Sequence, residues 1–269
     1  MSLYFCSFAS GSSGNSYLVG TEKTAIIIDA GIACKNIEQG LLGRGITPED
    51  LSGILITHEH SDHIKSLRTL SKRTSAPIYA SQGTLDAIIE NYLPSLAQDD
   101  IASVSSGEVF TIGDIEVTPF DISHDAAEPL GYAFKSGGKS IAIMTDTGVV
   151  TGSAIEALRE ADMIVIESNH EENVLMYGCD PFHLKKRILS EHGHLSNAAA
   201  AACLAEVLCD RRNENAPIVA LAHLSKENNT PDLAYLTVKN LLAEDGFIEG
   251  VHYKLKVLSG DTESEVFRI

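Results

Sequence analysis

Residues 53–64 have the sequence GILITHEHSDHI, and this stretch determines the fold and the chemistry that we predict. Its first five residues form a short apolar run, which is typical of a buried strand. Three imidazoles and one carboxylate follow within six residues, at His58, His60, Asp62 and His63. The apolar spacing after them predicts a helix over 62–71. The polar cluster therefore lies on a tight turn between a strand and a helix.

A cluster of this kind is costly to desolvate unless it binds something. Zn²⁺ and Mn²⁺ accept both imidazole and carboxylate ligands. On such a turn, His58 and His60 can point to one side while Asp62 and His63 point to another. We therefore predict that the turn binds metal, with possible ligands pointing to both of its sides. The alternative is a solvated surface loop in which histidines are clustered.

Short runs rich in Ile and Val recur along the chain between helical stretches. The predicted strands cover residues 4–8, 16–19, 24–29, 54–57, 77–80, 115–120, 140–145, 163–167, 217–222 and 253–258. The predicted helices cover residues 35–42, 62–71, 84–92, 153–159, 181–191, 197–209 and 231–245. The strands do not alternate strictly with helices, so the pattern favours an α/β fold of two packed sheets with helices outside. We expect one domain over residues 1–269.

Several predicted strands end in single polar residues outside the 53–64 stretch: Asp29, His124, Asp146, Glu167 and His223. Each of them alone is an ordinary turn, loop or core residue. Loops at the ends of rigid strands are, however, where functional sites usually lie. The joint placement of these residues therefore favours a binding site.

The pattern His58-x-His60-x-Asp62-His63 resembles the second motif of the metallo-β-lactamase superfamily. Residues matching the other motifs of that superfamily follow in the expected order, from about residue 4 to residue 258. The resemblance implies a four-layer αβ/βα sandwich, in which two mixed β-sheets are flanked by helices. It also implies two divalent metal ions, which would lower the pKa of bound water so that it ionises near neutral pH.

The same resemblance assigns a role to each residue. The ligands of the first metal would be His58, His60 and His124. The ligands of the second metal would be Asp62, His63 and His223. Asp146 would bridge the two ions, Asp29 would orient a ligand, and Asp62 is also a candidate catalytic residue. No cysteine belongs to this set, which disfavours the true β-lactamases, and two adjacent metals suit displacement at phosphorus.

Two further segments favour a phosphodiester substrate. Residues 10–16, SGSSGNS, are small and polar enough to approach an anion closely, so the possible phosphate-binding residues are Ser10, Ser12, Ser13 and Asn15. A flexible hairpin turn explains the same composition equally well. His194, in the segment GHLSN, is placed like the histidine that protonates the leaving oxygen in RNase Z, and it is the second candidate catalytic residue. The alternative is that Ser196 or Asn197 caps a helix and His194 is incidental.

These segments, with Glu167-Ser168-Asn169-His170 and the run HLSKENN at 223–229, resemble the YycJ/WalJ-like subgroup of the superfamily. That resemblance implies a 5′–3′ exonuclease-like enzyme that prefers DNA. The alternative is a small-molecule hydrolase acting on a cyclic phosphodiester, a thioester or a lactone. A non-catalytic relative is a third reading, but such relatives usually lose metal ligands, and all seven are present here. Neither the residues nor the resemblance decides between Mn²⁺ and Zn²⁺.

The composition narrows the partners and the location. The net charge of −17 argues against a broad basic surface for duplex nucleic acid, so we expect single-stranded DNA, strand ends or a small phosphodiester. No apolar run is long enough to span a membrane, and five scattered cysteines without a C-x-x-C pair fit a cytoplasmic protein with free thiols. No large insertion separates Asp146 from His223, so the substrate must be held close to the metals.

Overall fold

The structure is a computed structural model, and it describes residues 2–94, 101–211 and 215–269. These residues form two mixed sheets of seven strands each. The N-terminal sheet has the order β14-β1-β2-β3-β4-β5-β6. Its strands are β1 (Tyr4–Ala9), β2 (Ser16–Gly20), β3 (Ala25–Ile28), β4 (Gly53–Leu55), β5 (Ile78–Ala80), β6 (Ile101–Ser103) and β14 (Phe267–Arg268). β1, β2 and β3 pair antiparallel, and β3 to β6 pair parallel.

The C-terminal sheet has the order β13-β12-β11-β10-β9-β8-β7. Its strands are β7 (Phe110–Ile112), β8 (Ile115–Asp121), β9 (Leu130–Ser136), β10 (Lys139–Met144), β11 (Met163–Glu167), β12 (Ile218–Ala222) and β13 (Lys254–Val257). β7 to β10 pair antiparallel and β10 to β13 pair parallel, so each sheet is antiparallel in one part and parallel in the other.

Helices cover the outer faces of both sheets. They are α1 (Cys34–Leu42), α2 (Ser61–Ile64), α3 (Leu67–Leu70), α4 (Gln82–Asn91), α5 (Gly152–Glu160), α6 (Glu172–Tyr177), α7 (Phe182–Ile188), α8 (Asn197–Cys209) and α9 (Pro231–Glu244). α9 begins as predicted, because the Thr230 side chain accepts the backbone N–H of Leu233 and Pro231 occupies the first turn.

Three apolar clusters give the molecule its layers. β3 shows how they arise, because Ile26 and Ile28 join the cluster between the sheets, whereas Ile27 joins the cluster under α1 and α4. The third cluster lies between the C-terminal sheet and helices α5, α8 and α9. Alternate residues of a strand point to opposite faces, so a sheet that is apolar on both faces needs a layer on each side. The predicted four-layer sandwich is confirmed.

The parallel strands bring their carboxyl ends to one edge of the molecule. In the register of these strands, Ile28 pairs with Leu55, and Glu167 pairs with Ala222. Three residues just beyond strand ends have left-handed backbone conformations, with φ of 61° at Asp29, 55° at Asp146 and 53° at His223. Non-glycine residues seldom adopt this conformation, and they do so mostly at functional sites.

The predicted continuous helix over 62–71 is wrong, because the chain forms two short helices there. At Ser66 the backbone leaves the helical path, with φ −109° and ψ 4°. Its N–H and its hydroxyl both donate to the carbonyl oxygen of Ala30, which ties this point of the chain to the loop after β3. A helical pattern in sequence does not show such a tertiary bond.

Other differences concern short or interrupted elements. Four strands were not predicted, namely β6, β7, β9 and β14, and α6 was not predicted either. β6 and β7 have three residues each, and Gly131 and Lys135 interrupt the apolar pattern of β9. The predicted helix over 181–191 covers only Phe182–Ile188.

Candidate metal centre

Two groups of three side chains come together around residues 58–63. The first triad consists of His58, His60 and His124. The second triad consists of Asp62, His63 and His223. Within each triad, one potential ligand atom per residue lies within 4.8 Å of the others. The two-sided arrangement predicted for the turn is therefore present, and the C-terminal sheet completes both triads.

Asp29 orients two histidines of the turn. The Nδ1 atom of His63 donates to Asp29 Oδ2 over 2.7 Å, which turns Nε2 of the same ring toward the other two residues of the second triad. The Thr57 hydroxyl donates its proton to the same carboxylate over 2.9 Å. The hydroxyl oxygen of Thr57 then accepts from His58 Nδ1 over 3.0 Å. Such bonds fix the tautomer and the ring orientation of a metal-binding histidine. The structure thus puts Asp29 where an orienting residue was predicted.

The other two imidazoles of the first triad are oriented by backbone carbonyls. His124 Nδ1 donates to the carbonyl oxygen of Gly193 over 3.1 Å, and His60 Nε2 donates to that of Asp125 over 3.2 Å. His124 is left with Nε2 and His60 with Nδ1 to bind an ion. Burial lowers the pKa of His124, which favours the neutral, metal-binding form.

Asp146 lies between the triads. Its Oδ2 is 3.4 Å from His63 Nε2, and its Oδ1 is 3.4 Å from His223 Nδ1 and 4.0 Å from His124 Nε2. Among the described residues, three buried atoms here have no hydrogen-bond partner: His58 Nε2, Asp146 Oδ2 and His223 Nε2. Buried polar atoms are rarely left unpaired. These orphaned atoms and the nitrogen and oxygen donor set fit divalent metal ions.

Glu167 supports the C-terminal side of the centre. Its Oε1 accepts from His223 Nδ1 over 2.7 Å and from His194 Nδ1 over 2.8 Å. Its Oε2 accepts the backbone N–H groups of Thr147 and Leu195, each over 3.0 Å. Burial acts to raise the pKa of this carboxyl, but the two imidazoles outweigh burial and lower it. In the sequence, the signal for this residue is weak, because a carboxylate at the end of a buried strand is common.

The buried imidazoles of the two triads differ in the direction in which their surroundings shift their pKa values. Burial lowers the pKa of His58 well below its ordinary value, and the neighbouring imidazoles lower it further. Burial acts in the same direction on His63 and His223, but the adjacent carboxylates outweigh it. They raise the pKa of His63 well above its ordinary value and that of His223 to about 10. A metal at the second triad would therefore have to displace protons.

A cavity of about 300 Å³ opens onto the centre. His194 lies on its wall with 15% of its side chain exposed, and its ring centroid is 5.1 Å from that of His124 and 5.3 Å from that of His223. The Ser196 hydroxyl does cap α8, but the bond to Glu167 fixes the His194 ring separately. Burial lowers the pKa of His194, and Glu167 more than offsets this, so the net shift is upward.

The Ser/Gly segment does not present all four predicted residues to a substrate. Ser10 is fully buried, accepts the backbone N–H of His223 and bonds to the Tyr17 hydroxyl. Asn15 is also fully buried, and its amide nitrogen lies 3.0 Å from His63 Nε2. These two residues support the centre and cannot reach a phosphate. Ser12 and Ser13 are exposed, and Ser12 lines the cavity, so their predicted role stays a prediction.

Four other features bear on the predictions. His170 is buried, and neither of its ring nitrogens has a hydrogen-bond partner among the described residues. All five cysteines are free, as predicted. Each helix in the described ranges is too short or too polar to cross a bilayer. A larger cavity of about 690 Å³, beside Tyr4 and Arg44, contains none of the predicted site residues.

Comparisons with known proteins agree with this architecture. A family model described as the beta-lactamase superfamily domain matches residues 24–212. Exodeoxyribonuclease YycJ of Bacillus anthracis is 40% identical over 255 residues, which are 95% of each chain. Exodeoxyribonuclease WalJ of Streptococcus pneumoniae is 38% identical over 97% of this chain and 96% of its own length.

Among solved structures, the metallo-β-lactamase fold protein YhfI of Bacillus subtilis superposes with a TM-score of 0.72. The alignment covers 100% of both chains at 16% identity, so this likeness speaks for the fold alone. The family match and the two closely similar relatives go further than the fold. The chain belongs to the metallo-β-lactamase superfamily and, within it, to the family of the YycJ and WalJ proteins.

Proposed function

We propose that the protein is a two-metal-dependent phosphodiesterase that degrades DNA as an exonuclease from the 5′ end. The observation that carries the proposal is the pair of triads joined by Asp146, with His194 on the wall of the same cavity. The names of the relatives, exodeoxyribonucleases similar over almost the whole chain, support DNA as the substrate. We also propose that residues 1–269 act as one domain.

The first triad would hold one ion and the second triad the other, with Asp146 shared between them. Mn²⁺ and Zn²⁺ both suit this mixture of nitrogen and oxygen donors. Bound dications supply two things, an ionised water near neutral pH and a positive field at the phosphoryl oxygens. Four carboxylates line the cavity, those of Asp62, Asp146, Asp180 and Glu227, and their negative charge favours the binding of dications.

The protein's own groups would then position the substrate and move one proton. As the bond from phosphorus to the leaving oxygen breaks, His194 Nε2 donates a proton to that oxygen. Glu167 holds the other ring nitrogen of His194, so the ring presents Nε2 to the cavity. The Glu167 carboxylate raises the pKa of His194, which favours the protonated form that a proton donor needs. The highly acidic surface favours single strands or strand ends over a long duplex footprint.

The test uses single-stranded DNA labelled at the 5′ end in one sample and at the 3′ end in another, with Mn²⁺ or Zn²⁺ added. Immediate release of the 5′ label as a mononucleotide, with stepwise shortening of the 3′-labelled strand, is expected. Immediate loss of the 3′ label would reverse the proposed polarity. Failure to cleave either strand, with both metals bound and bis-p-nitrophenyl phosphate hydrolysed, would move the assignment to a small phosphodiester.

A further inference from the structure

We propose that α6, α7 and the loop between them, residues 172–188, form a platform on which bases of a single-stranded DNA substrate stack. The proposal rests on the nuclease function proposed above, and it adds where the strand lies. Tyr177 is 89% exposed and Phe182 is 81% exposed. They are the most exposed large apolar side chains in the described part of the chain. Neither belongs to the metal centre or to a core cluster.

The platform adjoins the metal cavity. Leu184, Arg187 and Ile188 line the cavity from α7, and Asp180 lines it from the loop between the helices. Phe182 is two residues beyond Asp180, so their Cα atoms are at most about 7 Å apart. Tyr177 precedes Asp180 by three residues, which limits that separation to about 11 Å. The Cα atoms of both residues therefore lie within about 11 Å of the Cα atom of a residue on the cavity wall.

The segment is fixed to the rest of the protein by polar bonds. Lys185 Nζ donates to the carbonyl oxygens of Met176 and Gly178, which ties α7 to the end of α6. The Asn228 amide donates to Asp180 Oδ2 over 2.7 Å. At the other end of α7, the backbone N–H of His194 donates to the Ile188 carbonyl oxygen. A binding surface held this rigidly loses little conformational entropy when a ligand docks.

The chemistry of the segment suits a nucleotide strand. Exposed aromatic rings stack on bases whatever their sequence, and cationic side chains beside them contact the phosphates. Phe182 and Lys186 are one helical turn apart, and both are exposed. Arg187 lines the cavity with half of its side chain exposed, but its guanidinium is paired with Asp125, so Lys186 is the cation that we assign to the phosphates. In a chain of net charge −17, a helix with three consecutive basic residues is a local exception. Ring, cation and cavity together favour DNA over a second protein chain.

The experiment compares wild type with Tyr177→Ala/Phe182→Ala on single-stranded oligonucleotides of increasing length. In the wild type, KM should fall as the strand becomes long enough to reach the rings. In the double variant this gain should disappear, so that KM for long strands rises roughly five- to a hundredfold while kcat changes little. Tyr177→Phe/Phe182→Tyr should restore the wild-type length dependence. Tyr92→Ala, which removes an exposed ring at the far end of α4, is the matched control.

Oligonucleotides with abasic sites give the second readout. Removal of the stacked bases should raise KM in the wild type and have no further effect in the double variant, because ring and base lose the same interaction. An unchanged length dependence in the double variant would overturn the platform while the nuclease function stands. So would a dimeric wild type that the double variant converts to a monomer with unchanged KM, since the rings would then bind a second copy.

If the wild type cleaves no DNA, the proposed function fails, and the platform is then judged by binding alone. Fluorescence anisotropy of a labelled single strand would measure Kd for both proteins. A Kd weakened at least about fivefold in the double variant, but not in Tyr92→Ala, would support the platform. Equal Kd values would overturn it.

Discussion

The two sheets contribute to the metal centre in different ways. The N-terminal sheet supplies four of the seven predicted ligands from one turn of six residues, directly after β4. The C-terminal sheet supplies three ligands, each after a different strand: His124, Asp146 and His223. Each side also has one buried orienting carboxylate, Asp29 in the N-terminal half and Glu167 in the C-terminal half.

The two carboxylates show what this difference means for function. Asp29 bonds to His63 and to Thr57, so its effect stays within the group of metal ligands. Glu167 bonds to the ligand His223 and also to His194, so it couples metal binding to the proposed proton donor. Asp29 therefore bears on proposed ligands alone, whereas Glu167 links a proposed ligand to the proposed proton donor.

The largest effect is expected where the two halves meet. Asp146→Ala removes the carboxylate that lies between the two triads, so we expect activity to fall at least about a thousandfold, more than the 10–100-fold typical of orienting residues. Metal content per chain, measured by mass spectrometry, should fall as well. Added metal should no longer raise the melting temperature, as it should in the wild type.

Asp121→Ala is the matched control, because Asp121 also ends a strand of the C-terminal sheet but its side chain is exposed. This variant should keep both its metals and its activity. Two fully occupied metal positions in Asp146→Ala would contradict the bridging role.

The same contrast between the two halves explains how much of the candidate site could be predicted from the sequence. The N-terminal ligands are local in sequence, so HEHSDH alone indicated a metal site and its two sides. The resemblance to a known superfamily added His124, Asp146 and His223, which the fold brings to the same edge. The helices α8 and α9 were predicted almost to the residue, since Ser196 and Thr230 are strong caps.

What was missed depends on contacts between distant residues. Glu167 was named among the strand-end polar residues, but its role was missed, because only the alignment of β11 with β12 brings His223 and His194 to it. Ser10 and Asn15 were predicted to face a phosphate, but both are buried, since Ser10 bonds to Tyr17 and to the backbone of His223, and Asn15 contacts His63. Composition does not show these contacts. Short polar residues serve equally well in a binding loop and in a buried network, and only packing separates the two.

The second-largest effect tests the link from the C-terminal half to proton transfer. His194→Ala should lower DNA hydrolysis by about a hundredfold or more, within the range for a general acid. Hydrolysis of bis-p-nitrophenyl phosphate should change far less, because p-nitrophenolate leaves without being protonated. Rates on the two substrates, compared with the metal content of the variant, measure this. Equal losses on both substrates would show that His194 acts on metal binding or structure instead.

A direct comparison of the two carboxylates comes next in size. Glu167→Gln and Asp29→Asn each convert a carboxylate into an amide of nearly the same shape. We expect each variant to lose activity by roughly 10–100-fold. Glu167→Gln should be the more severe, and it should affect DNA more than bis-p-nitrophenyl phosphate, because His194 loses its partner. Asp29→Asn should lower both activities by the same factor.

Metal titration shows how much of each loss of activity comes from weaker metal binding. Both variants should bind metal more weakly, since each leaves one ligand of the second triad without its orienting carboxylate. Glu116→Gln, a strand residue of the C-terminal sheet with an exposed side chain, should behave like the wild type. The same substrate dependence in Glu167→Gln and Asp29→Asn would remove the distinction between the two halves.

The smallest effect concerns how each carboxylate is itself held. In the N-terminal half a side chain shares this task with a backbone group: the Thr57 hydroxyl donates to Asp29 and accepts from His58 Nδ1, and the Thr57 backbone N–H donates to Asp29 Oδ1. Thr57→Val should leave the buried Nδ1–H group of His58 without a hydrogen-bond partner, and this should lower the free energy of unfolding of the metal-free protein by about 1–3 kcal/mol. Urea unfolding measures this, and Thr57→Ser, which keeps the hydroxyl, should lose less. A Thr57→Val variant as stable as Thr57→Ser would mean that the hydroxyl contributes nothing. In the C-terminal half, backbone N–H groups hold Glu167 Oε2, so no side-chain substitution can remove that support.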